Sequence, residues 1–402
     1  MRSTLIATAI ATATGIAVAV PGVAAADGQI TWTTANSTAT GDQDGAAVAV
    51  ARTGYTAVVW EDDRDSTNPT DPLHSDVFLR LYRDGVSLYE KKLSAGGTGN
   101  WTHVEPDVAL REDGTAVVVF ATDGDGNGAF QIAVRTVNTA GTVTGSATAN
   151  ANSAGQQTVP AVAADPEGPG FAVAFQDQQT GAAPTVRLSG FASITAKTYE
   201  VAVHAAGGTH RRPDVAMGAA GNAIVVWDED GDGNGFFNIA RKVFTPSGGV
   251  KLAQASANAN GGGQQRNATV AANFNGDFAV AWETDHTGVA QTAARSFTAT
   301  GTAGPETPLP GKDPQVGIDD QRAVFVAWED AADVHGQGIN PDGTTTGRQP
   351  RLLVHPTTAG SQTQPAAGVD AWGRVVLAFT DDNDGNGFDQ VYLGTGLVNS
   401  TW

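Results

Sequence analysis

The chain has 402 residues, no cysteine, and 42 acidic against 23 basic side chains, a net charge of −19. Nucleic acid and anionic membranes both require a cationic face, so this balance excludes them as partners. Without thiols there is no disulfide framework, and packing and sheet closure must hold the fold together.

Residues 1–26 read as a secretion signal. Arg2 supplies the positive start, Leu5–Val20 is apolar but too short and weak for a membrane span, and Ala24-Ala25-Ala26 offers a cleavage site before Asp27. The mature chain, 27–402, is expected to be secreted to the extracellular space as one domain.

From there one unit recurs seven times. A short apolar strand and a turn lead into a second strand ending on an aromatic residue, as in "TAVVWE", "AVVVFA", "FAVAFQ", "AIVVWD", "FAVAWE", "VFVAWE" and "VVLAFT". The aromatic positions are Trp60, Phe120, Phe175, Trp227, Trp282, Trp328 and Phe379, spaced 46 to 60 residues apart. That period suits one four-stranded propeller blade. Turns such as "EDGT", "AAGN" and "FNGD" join the first two strands, with Gly, Asn and Asp where positive φ is needed. Third strands follow ("DVFLRLY", "FQIAVRTV", "FNIARKVF", "AQTAARSF"), then a fourth. No segment carries a capped helical period. The fold expected is therefore all-β, a seven-bladed β-propeller with four-stranded blades. The mature N-terminus resembles the fourth strand and connector of an interior unit, so Ile30–Thr34 is expected to complete the C-terminal blade and close the ring. The recurring aromatic reads as core.

The unit "AVVWEDDRDSTNPTDPLHSDVFL" resembles a broad class of bacterial extracellular repeats of the form V-V-W-x-D-x-R-x-G…D-I-Y. The resemblance implies a secreted, propeller-forming, usually non-catalytic protein. It carries over neither a ligand nor a set of functional residues.

Between second and third strands, units two, four and seven carry "DGDGNG", "DGDGNG" and "DNDGNG". Oxygen donors fall at positions 1, 3, 5 and 9. They are Asp123, Asp125, Asn127 and Gln131, then Asp230, Asp232, Asn234 and Asn238, then Asp382, Asp384, Asn386 and Gln390. Calcium takes six to eight oxygens, and alternate residues of a tight loop can supply them. The spacing resembles the calcium turns of integrin-type propellers, with an amide in place of the last carboxylate. Calcium is thus a candidate cofactor, structural in role and weakly held. The competing reading is an Asx-type turn in which these side chains cap their own backbone.

Blade connectors emerge on the same face as these turns. They bring Trp101, His103, Gln157, His210, Arg211, Gln265, Arg266 and Gln364 toward the mouth of the central channel, a set suited to sugar hydroxyls or peptide backbone. Trp101 is the candidate stacking platform.

No nucleophile elbow, zinc-protease motif or phosphate-cradling loop is present, and the seven histidines show no ligand spacing. The expected protein is a monomeric, non-catalytic propeller that binds glycan or an extracellular protein. The alternatives are a calcium-dependent propeller hydrolase, phytase-like or glycoside-active, and a purely structural module.

Overall fold

The computed structural model describes residues 30–65, 75–94, 102–166, 168–179, 182–346, 352–353, 360–382 and 387–398. Strand β1 (Thr31–Thr34) comes first. Blade 1 follows with β2 (Gln43–Val50), β3 (Tyr55–Asp62), β4 (Asp76–Arg83) and β5 (Val86–Lys92). Blade 2 is β6 (Thr102–Leu110), β7 (Ala116–Asp123), β8 (Gln131–Val137) and β9 (Val143–Thr148). Blade 3 is β10 (Gln156–Ala164), β11 (Phe171–Gln178), β12 (Thr185–Ser193) and β13 (Ala196–Ala202). Blade 4 is β14 (Thr209–Met217), β15 (Ala223–Asp230), β16 (Asn238–Phe244) and β17 (Val250–Ser256). Blade 5 is β18 (Gln265–Ala272), β19 (Phe278–Thr284), β20 (Gln291–Phe297) and β21 (Ala303–Leu309). Blade 6 is β22 (Lys312–Ile318), β23 (Val324–Asp330), β24 (Asp333–Ile339) and β25 (Leu352–Leu353). Blade 7 has β26 (Gln362–Val369), β27 (Arg374–Asp381) and β28 (Gln390–Val398).

Each blade is an antiparallel sheet in chain order. In blade 7, β1 pairs with β28, Thr31 opposite Thr395 and Thr34 opposite Tyr392, and supplies the fourth strand. The protein is thus an all-β, seven-bladed propeller. Among the described residues no helix is long and apolar enough to cross a membrane.

The core lies between neighbouring sheets. Second strands are covered on both faces, which is why they read as unbroken Val/Ala/Ile runs rather than as an alternation. The seven aromatic anchors end these runs and are 0–1% exposed. Trp227 packs with Ala161, Ala174 and Leu188 of blade 3, and Trp282 with Ala216 and Val226 of blade 4. One bulky side chain per blade packs against the previous sheet.

Every innermost strand begins at the connector face and ends around the opposite mouth of the channel. There, a cavity of about 140 Å³ takes lining residues from all seven blades. The Arg52 guanidinium sits 4.3 Å from the centre of the Phe274 ring and 3.1 Å from Asp320. Arg52 of blade 1 therefore reaches blades 5 and 6 across that mouth.

Candidate site at the channel mouth

All seven innermost strands carry a β-bulge at the same place, between Asp44/Ala47, Val104/Asp107, Thr158/Ala161, Arg211/Asp214, Arg266/Thr269, Lys312/Gln315 and Thr363/Ala366. One residue in each bulge has positive φ: Gly45, Glu105, Val159, Arg212, Asn267, Asp313 and Gln364. Pro follows in five blades and Ala in two, which ends ladder pairing at that point.

The bulges build a latch from blade to blade. The freed N–H of the bulge residue donates to a side chain of the preceding blade: Glu105 to Glu61 at 2.7 Å, Val159 to Glu105 at 2.6 Å, and Asn267 to Asp228 at 3.0 Å. Asp313 likewise donates to Glu283 at 3.0 Å, and Gly45 to Gln364 at 2.8 Å. Glu61, Asp228 and Glu283 directly follow the aromatic anchors. One layer deeper, Asp107 accepts from Val162 N–H and Asp214 from Val270 N–H, both at 2.7 Å.

Just outside the bulges, first and second strands form one opposed pair per blade. Blade 1 has Asp44 opposite Glu61, two acids. Blades 2 and 3 have Val104–Ala121 and Thr158–Gln176. Blades 4, 5 and 6 have Arg211–Asp228, Arg266–Glu283 and Lys312–Glu329, and blade 7 has Thr363–Thr380. The mouth is therefore polarised, with cations on three adjacent blades and an acid pair on blade 1. Among the described residues no Lys or Arg forms an ion pair with Asp44, Glu61 or Glu105.

The acids respond to this setting. Burial, then Asp42, Asp63 and Asp389 nearby, pushes Asp44 up to about 7. Burial, then Asp44, pushes Glu61 up to about 8. Asp228 rises to about 7 because burial outweighs Arg212 and Arg211. In the channel wall, burial raises Asp107 to about 6, and burial with Asp107 nearby raises Asp214 to about 7.

The residues expected at the mouth divide into three groups. Arg211, Arg266 and Gln364 do stand there. His103, Gln157, His210 and Gln265 do not: each is at most 4% exposed and bonded inside the fold. His103 meets Thr122 at 2.8 Å, and Gln157 donates to Asp177 at 3.1 Å. His210 bonds Glu229 at 2.7 Å, while Gln265 accepts from the Trp282 indole at 2.9 Å. The bulge turns the next residues toward the channel and leaves these amides and imidazoles between the sheets. Burial lowers the pKa of His103. In His210, burial opposes the charged ring, but the bonds to Glu229 and Gly207 prevail and raise it. Trp101 lies outside the described residues. Asp44, Glu61, Glu105, Asp228, Asn267, Glu283, Lys312 and Glu329 also belong to the mouth. Their signal was positional, the residue after each aromatic anchor and those just before the Pro or Ala that ends each bulge.

The acidic turns are built from their own backbone. Asp123 accepts the N–H groups of Asn127 and Gly128 at 3.0 and 2.8 Å, and Asp230 those of Asn234 and Gly235 at 3.0 and 3.1 Å. Asp125 accepts from the Asn127 amide and Asp232 from that of Asn234. Asn127 and Asn234 accept from Ala129 and Phe236 N–H, each at 2.7 Å. Gly128 and Gly235 sit at φ 81° and 82°, which an L side chain rarely adopts. In blade 7, Asp382 accepts Gly387 N–H at 3.2 Å, while Asp384 and Asn386 lie outside the described residues.

The ninth position differs from the expected calcium shell. Gln131 and Asn238 give their oxygens to Asn150 and Asn258, at 2.5 and 2.9 Å, and Gln390 gives its own to Asn36. Gln156 and Gln264 from the next blade then clamp the turn, donating to Gly128 and Gly235 carbonyls at 2.6 and 2.9 Å. This donor set fits a self-capped turn. The ninth-position oxygen is already held by an asparagine amide.

No known protein family and no curated protein matches the sequence. The fold does match solved structures. The polysaccharide lyase Uly1 superposes with a TM-score of 0.55 at 13% identity, over 88% of this chain and 89% of that one. The GH93 α-L-arabinofuranosidase of Fusarium graminearum, in complex with arabinobiose, gives 0.51 at 11% identity, over 90% and 96%. A protein of unknown function from Dyadobacter fermentans gives 0.51 at 13% identity, over 90% and 96%. At these identities the likeness shows the propeller fold.

Proposed function

We propose that this protein is a secreted propeller of the V-V-W-x-D-x-R-x-G repeat class that binds a glycan at the connector-face mouth of its channel. One observation carries the reading. Seven equivalent bulges present a ring of polar groups, among them Arg211, Arg212, Arg266, Asn267 and Gln364, on a rigid, repeated backbone. Fixed amides and guanidiniums around a concave opening suit sugar hydroxyls. That folds of this shape include a polysaccharide lyase and an arabinofuranosidase is consistent with a glycan at this face. The test is a glycan screen of the mature protein, followed by the Gln364→Ala and Asn267→Ala variants. Binding that both variants retain at full strength would refute the mouth as the site.

A second reading, a glycoside-active propeller, draws on the opposed Asp44 and Glu61. Their neighbouring pKa values of about 7 and about 8 make one a ready proton donor near neutrality. Turnover of polysaccharide or chromogenic glycosides that disappears in Glu61→Gln would support it. Absence of turnover across pH 5–9 would leave the binder.

A further inference from the structure

The geometry points to an anionic glycan, carrying carboxylate or sulfate groups, as the ligand of this mouth, with its charged groups seated against Arg211, Arg212, Arg266 and Lys312. This rests on the glycan reading above and narrows it to a chemical class.

In a chain with 42 acidic and 23 basic residues, a scattered distribution would not put a cation at one register position of three successive blades. Arg211, Arg266 and Lys312 hold that position, and Arg212 stands at the neighbouring bulge. Their side chains remain accessible, Arg212 at 45%, Arg266 at 40% and Lys312 at 58%.

The carboxylate partners of Arg211 and Arg266 do not consume them. One oxygen of Asp228 and one of Glu283 is already held by a backbone N–H of the following blade. Arg211 and Arg266 make only single, long contacts, Arg211 Nε to Asp228 at 3.4 Å and Arg266 Nε to Glu283 at 3.3 Å, whereas Arg212 donates to Asn267 Oδ1 at 2.6 Å and Lys312 pairs with Glu329 at 3.0 Å, so the free donor capacity lies on the two former arginines. Single contacts of this length are weak and leave each guanidinium most of its donors. Among the described residues, the terminal Nη groups of Arg211 and Arg266 donate to no protein acceptor. Arg211 is held in place instead by the Phe237 ring, 4.0 Å below its guanidinium. A guanidinium so fixed, with both Nη groups free, matches the two oxygens of a carboxylate or sulfate.

Across the channel, blade 1 puts Asp44 opposite Glu61 with no ion-paired cation among the described residues. A neutral sugar would gain little from this polarity. An anionic one is drawn toward blades 4–6, so the arrangement fixes orientation as well as affinity.

The experiment measures binding of two matched ligand pairs to the full mature protein at low and high salt. One pair is polygalacturonate with its fully methyl-esterified form, the other dextran sulfate with dextran. We expect the charged member of at least one pair to bind at least tenfold tighter, and which pair responds separates carboxylate from sulfate. We expect that preference to fall at high salt, and to fall at least tenfold in Arg211→Gln/Arg266→Gln. Arg266→Lys, which keeps the charge and loses the fork, is expected to retain an intermediate preference and guards against a folding defect. Equal binding of charged and neutral members overturns the inference while leaving the glycan reading standing. A charge preference unchanged in a variant that melts like the parent overturns it too. Failure of all four to bind, together with an empty glycan screen, overturns both.

Discussion

Asn36 Nδ2 donates to Gln390 Oε1 at 2.6 Å, joining residues 354 apart in the chain. Asn36 also donates to Gln43 and Thr38, and its own oxygen accepts Val391 N–H at 3.0 Å. Blades 2 and 4 repeat the arrangement. Asn150 accepts from Ile132 and donates to Gln131, while Asn258 accepts from Ile239 and donates to Asn238. The three blades with acidic turns are the three with this asparagine, so turn, ninth-position amide and asparagine form one unit.

Replacing Asn36 by Ala leaves several buried partners without a bond. A cost of about 1–3 kcal/mol is expected, read as a lowered urea midpoint with unchanged slope. Removing residues 27–40 takes β1 with it and is expected to lower Tm further. If the truncated protein melts with the parent, the β1–β28 pairing does not support the ring.

Val159 is a β-branched residue at φ 50° in the blade 3 bulge, where blade 5 has Asn267. Asn tolerates the left-handed region better than Val. Val159→Asn keeps the N–H that Glu105 accepts and is expected to stabilise by about 0.5–1 kcal/mol. An unchanged or lowered Tm would mean that Val159 packing outweighs the strain.

Stability is expected to rise on mild acidification. Asp44, Asp214 and Asp228 move from 3.8 to about 7, and Glu61 from 4.5 to about 8. A raised carboxylate favours the folded state when protonated. That contribution is fully present below about 4 and is lost as pH rises through 7 to 8. Calorimetry should therefore find a higher Tm at pH 5.5 than at pH 8.5, by about 1–1.5 °C per kcal/mol regained in a chain of this length. Glu61→Gln, which keeps an oxygen for Glu105 N–H, should flatten the upper part of that slope. A profile that climbs with pH would contradict these assignments.

Because the turns cap themselves, Tm is expected to agree within about 1 °C between millimolar calcium and EGTA, since ligand linkage requires binding to the folded state. A calcium-dependent rise abolished by Asp123→Asn and Asp230→Asn would mean that the turns open and take the metal.

Repetition is what made the fold readable before any coordinates. Seven aromatic anchors at blade spacing, with β-rich runs before them, leave few architectures that bury both faces of every strand. The anchors read as core and are core. The mouth was less legible. His103, Gln157, His210 and Gln265 look like ligand residues because they are polar and lie beside glycine-rich connectors. Whether a residue next to a bulge faces the channel or the sheet interface is decided by one positive-φ residue; the proline after Val159 and Arg212 marks where pairing stops, but not that these two side chains adopt a conformation neither of them favours.

The acidic turns divide along the same line. Their spacing of oxygens is a local property, and it suits both a metal loop and a self-capped turn. What only the fold adds is the company of Gln131, Asn238 and Gln390, whose oxygens accept from asparagines 19, 20 and 354 residues away. Local periodicity, turn chemistry and the anchor spacing are written in the chain because each acts over a few neighbours. The polarity of the mouth and the partners of its amides arise only when seven blades come into register, since no residue in one blade specifies what the next one places beside it.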